Sequence, residues 1–305
     1  MTNEMKTAIE INDITKSYGS LKALDGVSLS VGEGELFGLI GPDGAGKSTL
    51  YSILATLMKP DNGKATELGL DTAIDYRKLR LKIGYMPERF SLYQDMTVME
   101  NLRFFASLFG VHIEDTYDLI APIFTQLKKF PDRMAGKLSG GMKQKLALCC
   151  ALIHRPEILL LDEPTTGVDA VSRSEFWDIL RGLREKGMTI MVSTSYMDEA
   201  SLCERIAILN KGRILSTGTP ESLVAGLKGT IYNAISKDMF GLLSALREEP
   251  GVANCYTFGA TLHLSAGPDF NAEDTEKLLH KKGIGDARIY PATATIEDLF
   301  IQLTK

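Results

Sequence analysis

The feature that most constrains this chain is a glycine-rich segment that follows directly on an apolar run. The run is Leu36 to Ile40, and the segment reads Gly41-Pro42-Asp43-Gly44-Ala45-Gly46-Lys47-Ser48-Thr49. A buried strand, a loop with the spacing G-x-x-x-x-G-K-S and a helix start together form a phosphate loop, because the glycines let successive backbone N–H groups face the phosphates. The sequence therefore predicts a nucleoside triphosphate site lined by the residues of this segment.

Two side chains of the loop have distinct predicted roles. Lys47 supplies a cation beside the β and γ phosphates, and the hydroxyl of Ser48 is a ligand for Mg²⁺. The helix that begins near Lys47 directs the positive end of its dipole at the same anion. ATP and Mg²⁺ are thus the ligands that we expect.

A pair of carboxylates follows a second apolar run. Asp162-Glu163 come directly after residues 158–161, where the carboxyl end of a buried strand is predicted. Ligands of open parallel sheets bind at this end of the strands. We expect Asp162 to support Mg²⁺ and Glu163 to orient or deprotonate the water that attacks the γ-phosphate.

Composition narrows the class of partner. The chain has 305 residues, which favours two domains, and 44% apolar residues, which supports a sizeable core. A net charge of −5 argues against nucleic acid as a main partner. No apolar stretch approaches the roughly 18 residues of a membrane span, and residues 1–6 lack the apolar core of a secretory signal. We expect a soluble, cytoplasmic protein whose four cysteines, none in a C-x-x-C pair, are small apolar core residues.

Hydrophobic periodicity predicts an α/β fold. Residues 8–40 alternate as strands and hairpins, whereas residues 99–109, 117–127 and 141–153 repeat at helical intervals. Residues 158–161 and 189–193 are short apolar runs typical of parallel strands buried on both faces. The helical pattern over residues 171–186 lies between them, which predicts a right-handed crossover.

The last part of the chain has a different order of predicted strands and helices. After residue 228 the predicted order is β-α-β-β-α-β, followed by a helix over residues 296–304. This order is typical of a ferredoxin-like sandwich. We predict a nucleotide-binding domain over residues 1–228 and an accessory domain over residues 229–305. No cluster of catalytic residue types occurs in the accessory domain, so folding, dimer contact or regulation is its expected role.

A third motif lies between the phosphate loop and the carboxylate pair. It reads Leu138-Ser139-Gly140-Gly141-Met142 and closely resembles the signature of ATP-binding cassette (ABC) ATPases, in the same order along the chain as in that family. Serine and glycine N–H groups at a helix start form an anion site. The resemblance implies a P-loop NTPase core with an antiparallel β subdomain and a helical subdomain at about residues 88–155.

The resemblance also implies a dimer and further contacts. In this family the signature caps the γ-phosphate that the opposite subunit binds, so a second cassette is an expected partner. Tyr18 resembles the aromatic residue that stacks on adenine. Asp169, in a stretch that runs from Thr165 to Ala170, resembles the interface residue that reaches the partner site, although a helix cap would explain it as well.

Two positions depart from the family pattern. Glu88 stands where Gln is usual; it retains an oxygen ligand for Mg²⁺ but, when ionised, has no N–H to donate. Ser195 stands where His normally contacts the γ-phosphate, and a serine is too short to do so without a water. We therefore expect ATP binding with slow hydrolysis, and a site that pairs with itself in a homodimer or with a cassette carrying the usual His in a heterodimer or tandem fusion.

The resemblance favours an export ATPase of the drug-resistance type. Residues 89–102 resemble the surface that receives a short helix from a membrane permease, and residues 294–300 resemble the carboxyl-terminal extension of multidrug-export cassettes. The expected location is the inner face of the cell membrane, through permease subunits. The alternative is a nucleotide-gated regulatory or structural cassette with negligible hydrolysis. This sequence does not identify the exported molecule, because the substrate pathway of such a system lies in its membrane subunits.

Overall fold

The computed structural model describes residues 6–304, and its contacts divide into two compact units between Thr219 and Pro220. This division lies nearer the amino terminus than the boundary predicted at residues 228 and 229, and two independent domains remain a prediction. Residues 1–5, which belong to the segment assessed as a secretory signal, lie outside the described residues.

The first unit alternates strands and helices along the chain. Its strands are β1 Thr7–Tyr18, β2 Leu21–Gly32, β3 Leu36–Ile40, β4 Asn62–Glu67, β5 Leu70–Asp71, β6 Ile83–Met86, β7 Ile158–Asp162, β8 Thr189–Thr194, β9 Arg205–Asn210 and β10 Arg213–Gly218. Its helices are α1 Lys47–Leu54, α2 Tyr76–Leu79, α3 Val98–Phe109, α4 Ile113–Phe124, α5 Gly140–Leu152 and α6 Ala170–Glu185.

The main sheet has the order β10-β9-β3-β8-β7-β6. Strands β9, β3, β8, β7 and β6 are parallel, and β10 pairs with β9 in the antiparallel sense. All residues of β3, β7 and β8 are buried, which explains their continuous apolar runs. The chain passes from β7 through α6 to the adjacent parallel strand β8, so the predicted α/β core with a crossover is confirmed.

A second, antiparallel sheet covers α1. Its order is β2-β1-β4-β5. Apolar side chains of β1 and β2 form one core with those of α1, β3 and β7; Ile11, Val27, Leu50 and Leu160 are examples. Because α1 is packed between the two sheets, the phosphate loop at its start is fixed from both sides.

The middle of the first unit is helical. Helix α3 begins with a capping box, in which Thr97 accepts from the Glu100 backbone N–H and the Glu100 carboxylate accepts from that of Thr97. Helix α4 begins at Ile113, earlier than the predicted residue 117, and a short 3₁₀ turn, Leu127–Lys129, follows it. Helix α5 is buried along most of its length and packs against α3, α4 and β6. The four cysteines are buried and unpaired.

The second unit has the predicted β-α-β-β-α-β order. Its elements are α7 Pro220–Ala225, β11 Thr230–Ile235, α8 Met239–Arg247, β12 Val252–Phe258, β13 Thr261–Ala266, α9 Ala272–Lys281, β14 Arg288–Pro291 and α10 Ile296–Leu303. The antiparallel sheet runs β12-β13-β11-β14. Numbered within the unit, this is the order 2-3-1-4, which is that of a ferredoxin-like sandwich. Its core is separate and includes Leu242, Leu264 and Leu279.

Candidate functional site

The phosphate loop is shaped by close backbone approaches. Gly46 has φ +112°, and a Cβ there would lie 2.4 Å from the Ala23 carbonyl oxygen. A Cβ on Gly41 would lie 2.2 Å from the Leu209 carbonyl oxygen. Since these distances exclude any side chain, both glycines are required by the fold of the loop as well as by phosphate approach.

Lys47 is held inside the loop by three oxygens. Its Nζ donates to the carbonyl oxygens of Gly41 at 2.6 Å and Pro42 at 3.0 Å. It also lies 3.0 Å from Oε1 of Glu163, with both side chains about 95% buried (5% and 6% exposed). The lysine predicted to meet the phosphates and the glutamate predicted to act on water are therefore direct neighbours.

Asp162 and Glu163 are joined by a serine that the sequence analysis did not single out. The Ser193 hydroxyl donates to Oδ1 of Asp162 at 2.6 Å and accepts from the Glu163 backbone N–H at 2.9 Å. Burial raises the pKa of Asp162, hydrogen bonds from Ser193 and Ser48 oppose that shift, and the negative charges of Glu163 and Glu88 add to it. Ser48 and Asp162, both predicted Mg²⁺ ligands, are thus close enough to interact.

Glu163 also contacts the loops that follow β7 and β8. Its Oε2 accepts from the Thr166 hydroxyl at 3.0 Å and from the Ser195 backbone N–H at 3.2 Å. The Ser195 hydroxyl is 3.4 Å from the same oxygen. The backbone of Glu163 has φ +50°, a conformation that is uncommon outside glycine.

A cavity of about 840 Å³ opens in front of these residues. Ten of the predicted site residues line it: Tyr18, Asp43, Gly44, Gly46, Lys47, Ser48, Thr49, Glu88, Glu163 and Ser195. Gly41, Pro42, Ala45 and Asp162 are not among its described lining residues. Tyr18 lies at the end of β1 and is 47% exposed, with its hydroxyl donating to Sδ of Met58 at 3.2 Å. Lys22 and Lys211, which the sequence analysis did not identify, line the same cavity. Lys211 adds positive charge there, whereas the ammonium of Lys22 is paired with Asp25.

The cavity fits a magnesium nucleotide chemically. Ser48 and Glu88 offer oxygen donors, which Mg²⁺ prefers, and buried Lys47 offers a cation to phosphate oxygens. Asp162 is buried behind the described lining of the cavity. Among residues 6–304, no group of three or more His, Cys, Asp or Glu side chains is arranged to hold a metal ion. Mg²⁺ also takes phosphate oxygens as ligands, so a nucleotide would bring further donors to this site.

The signature residues lie apart from the cavity. Ser139 caps α5, and its hydroxyl accepts from the Met142 N–H at 3.4 Å. Ser139 and Gly140 are exposed, whereas Leu138 and Gly141 are buried. None of the residues predicted for the signature is part of the cavity lining that the structure describes.

Asp169 is exposed beside the signature. Its carboxylate caps α6 by accepting from the Ser172 backbone N–H at 3.0 Å, and hydrogen bonds from Ser172 lower its pKa. A Cβ on Gly140 would lie 3.3 Å from the Gly167 carbonyl oxygen, and one on Gly141 would lie 2.6 Å from Cβ of Ser172. The signature turn and the Asp169 loop thus form one continuous exposed surface.

An apolar groove of about 480 Å³ lies between β6 and the helical section. Phe90, Ser91 and Leu92, from the segment that resembles the coupling surface, line it together with residues of α3 and α5. His154 is also in the lining and stacks on Phe109, with ring centroids 3.8 Å apart. Burial lowers the pKa of this histidine, so its neutral form is favoured.

The fold and site define a P-loop nucleotide-binding protein of the cassette type, and comparisons with known proteins agree. Residues 24–166 match the family described as ABC transporter. The chain is 39% identical over 301 residues to the probable multidrug ABC transporter ATP-binding protein YbhF of Escherichia coli, covering 97% of this chain and 52% of that protein. It is 36% identical over 303 residues to the Nod factor export ATP-binding protein I of Rhizobium sp. strain N33, covering 98% and 97%.

Solved structures show the same fold. An ATP-binding subunit of an ABC transporter has a TM-score of 0.65 and 29% identity, covering 72% of this chain and 92% of its own. A dimeric post-hydrolysis cassette bound to ADP and Pi has a TM-score of 0.63 and 29% identity, covering 69% of this chain and 98% of its own.

The chain belongs to the ABC transporter family of ATP-binding proteins. It spans about half the length of YbhF, its first relative above. Among residues 6–304, no helix has the length and apolar character needed to cross a membrane.

Proposed function

We propose that this chain is the ATP-binding and ATP-hydrolysing subunit of an ABC export system. The observation that carries the proposal is the contact of buried Lys47 with Glu163 inside a cavity bounded by the phosphate loop. It places a phosphate-binding cation and a candidate general base side by side. The relatives named for multidrug transport and Nod factor export support the export role over the alternative of a purely regulatory cassette.

ATP binds with its phosphates along the loop and its adenine on Tyr18. Lys47 exchanges its contact with Glu163 for phosphate oxygens, and the N–H groups at the start of α1 add to the attraction. When bound, Mg²⁺ neutralises phosphate charge; Ser48, Asp162 and Glu88 are the residues that hold it.

Release from Lys47 leaves Glu163 free to act on water. The Thr166 hydroxyl and the Ser195 N–H keep Oε2 of the glutamate in place, so the other oxygen is available to accept a proton from the attacking water. The Ser195 hydroxyl contacts Glu163 and does not extend as an imidazole would to the γ-phosphate. Hydrolysis is therefore slow, whereas binding is intact.

A second cassette completes the site. Ser139 and Gly140 are exposed at the start of α5, where helix N–H groups attract an anion, and Asp169 is exposed beside them. Closure on ATP brings this surface over the partner's γ-phosphate. The partner is a second copy of this chain, or a cassette that carries histidine at the position of Ser195.

The apolar groove transmits closure to a membrane permease, which locates the chain at the cytoplasmic face of the membrane. Its lining of Phe90, Leu92, Phe105 and Leu108 suits the apolar side of a short helix. The net charge of −5 supports this partner over nucleic acid.

Steady-state hydrolysis by the purified chain tests the proposal. We expect slow Mg²⁺-dependent release of phosphate from ATP that Glu163→Gln abolishes, together with ATP binding that the same variant retains. Absence of ATP binding in the unmodified chain would refute the nucleotide-binding role, and hydrolysis that is unaffected by Glu163→Gln would refute the role of the base.

A further inference from the structure

Two buried glutamates join the same two loops. Glu163 accepts from Thr166 in the loop after β7 and from the N–H of Ser195 in the loop after β8. Glu199, which is 2% exposed, accepts hydrogen bonds from Thr165 and Thr194, which directly precede Thr166 and Ser195 in the chain. The Thr165 hydroxyl is 2.9 and 3.1 Å from its two oxygens, and the Thr194 hydroxyl is 2.6 Å from Oε2.

The hydroxyl proton of Thr194 has a defined direction in its contact with Glu199. The Thr194 oxygen accepts from the Tyr196 backbone N–H at 3.0 Å, and the hydroxyl proton is then directed to Glu199. Arg173, on α6, lies with Nε 3.8 Å from Oε1 of Glu199 and with its guanidinium 5.0 Å from the Tyr196 ring centroid. Backbone and side-chain contacts on both sides of Ser195 therefore converge on one carboxylate.

Glu199 does not reach the nucleotide cavity. Thr166, Ser195 and Glu163 line the cavity, whereas Glu199, Thr165 and Thr194 are not among its described lining residues. Glu199 thus has no contact through which to bind phosphate or water in the cavity. Its contacts instead join the loop that carries Ser195 to the loop that continues to Asp169.

We propose that Glu199 is a positioning residue that locks these two loops together. The inference rests on the proposed function of the site, in which Ser195 faces the γ-phosphate and Asp169 faces the second cassette. Because both loops are tied to one carboxylate, a shift at the phosphate side moves the dimer surface with it. Removal of the lock leaves Lys47 and the phosphate loop unchanged but lets Ser195 and Asp169 move independently.

Amide hydrogen exchange of the full chain without nucleotide tests the lock directly. Thr194→Val removes one hydroxyl at nearly constant volume, and Thr194→Ser retains it. We expect Thr194→Val to accelerate exchange at least tenfold in residues 165–169 as well as in residues 194–198, and Thr194→Ser to restore slow exchange in both. Acceleration confined to residues 194–198 would overturn the lock.

Kinetics of Glu199→Gln test the positioning role. The amide replaces one accepting oxygen of Glu199 with an NH₂ donor, so it loses one contact with a threonine hydroxyl and the negative charge that faces Arg173. We expect kcat to fall at least tenfold while the Kd for Mg-ATP changes less than twofold. The gain expected from Ser195→His disappears in the Glu199→Gln background. Asp198→Asn is the matched control, since Asp198 is adjacent and contacts Arg173 at 3.2 Å but is exposed; its kcat is unchanged.

The outcomes separate the two proposals. A chain that neither binds nor hydrolyses ATP contradicts the proposed function, and hydrogen exchange then still decides whether Glu199 joins the loops. A parallel loss of ATP affinity and kcat in Glu199→Gln contradicts positioning, as does a full Ser195→His gain in that background. Should Glu199→Gln not fold, Thr165→Val against Thr165→Ser provides the same comparison from the opposite loop.

Discussion

Lys47 Nζ lies 3.0 Å from Oε1 of Glu163, with both side chains buried. A buried ion pair compensates each partner for lost hydration, so neither charge is free while the pair persists. Phosphate oxygens and the carboxylate compete for the same ammonium group. In the proposed mechanism, ATP binding and activation of the glutamate are therefore one event, because phosphate that attracts Lys47 also releases Glu163.

Glu163→Gln separates these two consequences. The amide keeps the shape of the side chain but neither attracts Lys47 as a charge nor accepts a proton from water. We expect hydrolysis to fall by roughly 100-fold or more and the affinity for Mg-ATP to stay equal or increase. Phosphate release and calorimetry measure the two quantities. A weakened affinity would show that the pair with Glu163 holds Lys47 in its binding position.

Ser195→His restores the side chain that the family resemblance implies. An imidazole has a nitrogen donor that extends beyond the serine hydroxyl, so an additional charge-stabilising contact to the γ-phosphate becomes available. We expect kcat to rise roughly 10- to 100-fold. Ser195→Ala is the control: it removes a hydroxyl 3.4 Å from Glu163, and we expect no rise in kcat. An unchanged rate in Ser195→His would mean that another group already serves the γ-phosphate.

Glu67 gives a prediction about stability and pH. This residue of β4 is fully buried, and neither carboxyl oxygen has a hydrogen-bond partner among residues 6–304, so burial raises its pKa well above 4.5. Above pH 4.5 the unfolded chain releases a proton that the folded chain keeps, and stability therefore falls as pH rises. The expected slope is about 1.4 kcal/mol per pH unit until the folded pKa is reached.

Glu67→Gln has no proton to release at this position. Urea unfolding of the variant and of the unmodified chain between about pH 5.5 and about 8 gives the slope of the unfolding free energy against pH for each. Parallel curves would contradict a protonated Glu67.

Asp298, in the second unit, gives a dependence of stability on pH that is opposite in sign to that of Glu67. Burial alone raises the pKa of its carboxyl, but hydrogen bonds from Tyr256, Thr295 and His263 outweigh burial and leave the pKa below 3.8. Its stabilising effect is complete above pH 3.8 and is lost as pH falls through the lower, folded pKa. We expect Asp298→Asn to destabilise this unit by about 1–3 kcal/mol at neutral pH.

Hydrogen exchange in β13 and α10 measures that loss in Asp298→Asn. The difference between variant and unmodified chain should shrink in acid; a constant difference at all pH values would contradict the ionised network.

The apolar groove offers a matched pair of surface substitutions. Leu57 lines the groove, whereas Leu81 is not among its described lining residues, and each is 63% exposed. We expect Leu57→Glu to abolish copurification with a membrane permease because a charge would be buried under the docked helix. Leu81→Glu retains it, and both variants bind Mg-ATP normally. Equal retention by both variants would place the permease elsewhere.

Much of the fold was predictable because its core elements repeat clearly in the sequence. Strands β3, β7 and β8 are buried on both faces and so read as apolar runs. Lys47 follows β3 at a fixed spacing, and Asp162 is the last residue of β7. Parallel strands end at one edge of a sheet, which explains why the structure brings these residues together. Ser193 and Thr194 end the third run, and the same rule could have identified them.

Glu199 and Glu67 were not predictable in this way. Glu199 lies next to Asp198 in a stretch that reads as exposed and acidic, and only the tertiary structure shows that one carboxyl is buried and the other is not. Glu67 ends β4, and the strand residues before it are small or polar, so no apolar periodicity reveals its burial. The start of α4 at Ile113 was missed because polar residues follow Ile113 and weaken the apolar repeat there.

Calorimetric titration of the full chain with Mg-ATP tests the central claim most directly. The account predicts saturable heat of binding at one site per chain, which Lys47→Ala removes while leaving the thermal unfolding of the second unit unchanged. No heat of binding in the unmodified chain, or the same affinity in Lys47→Ala, would contradict it.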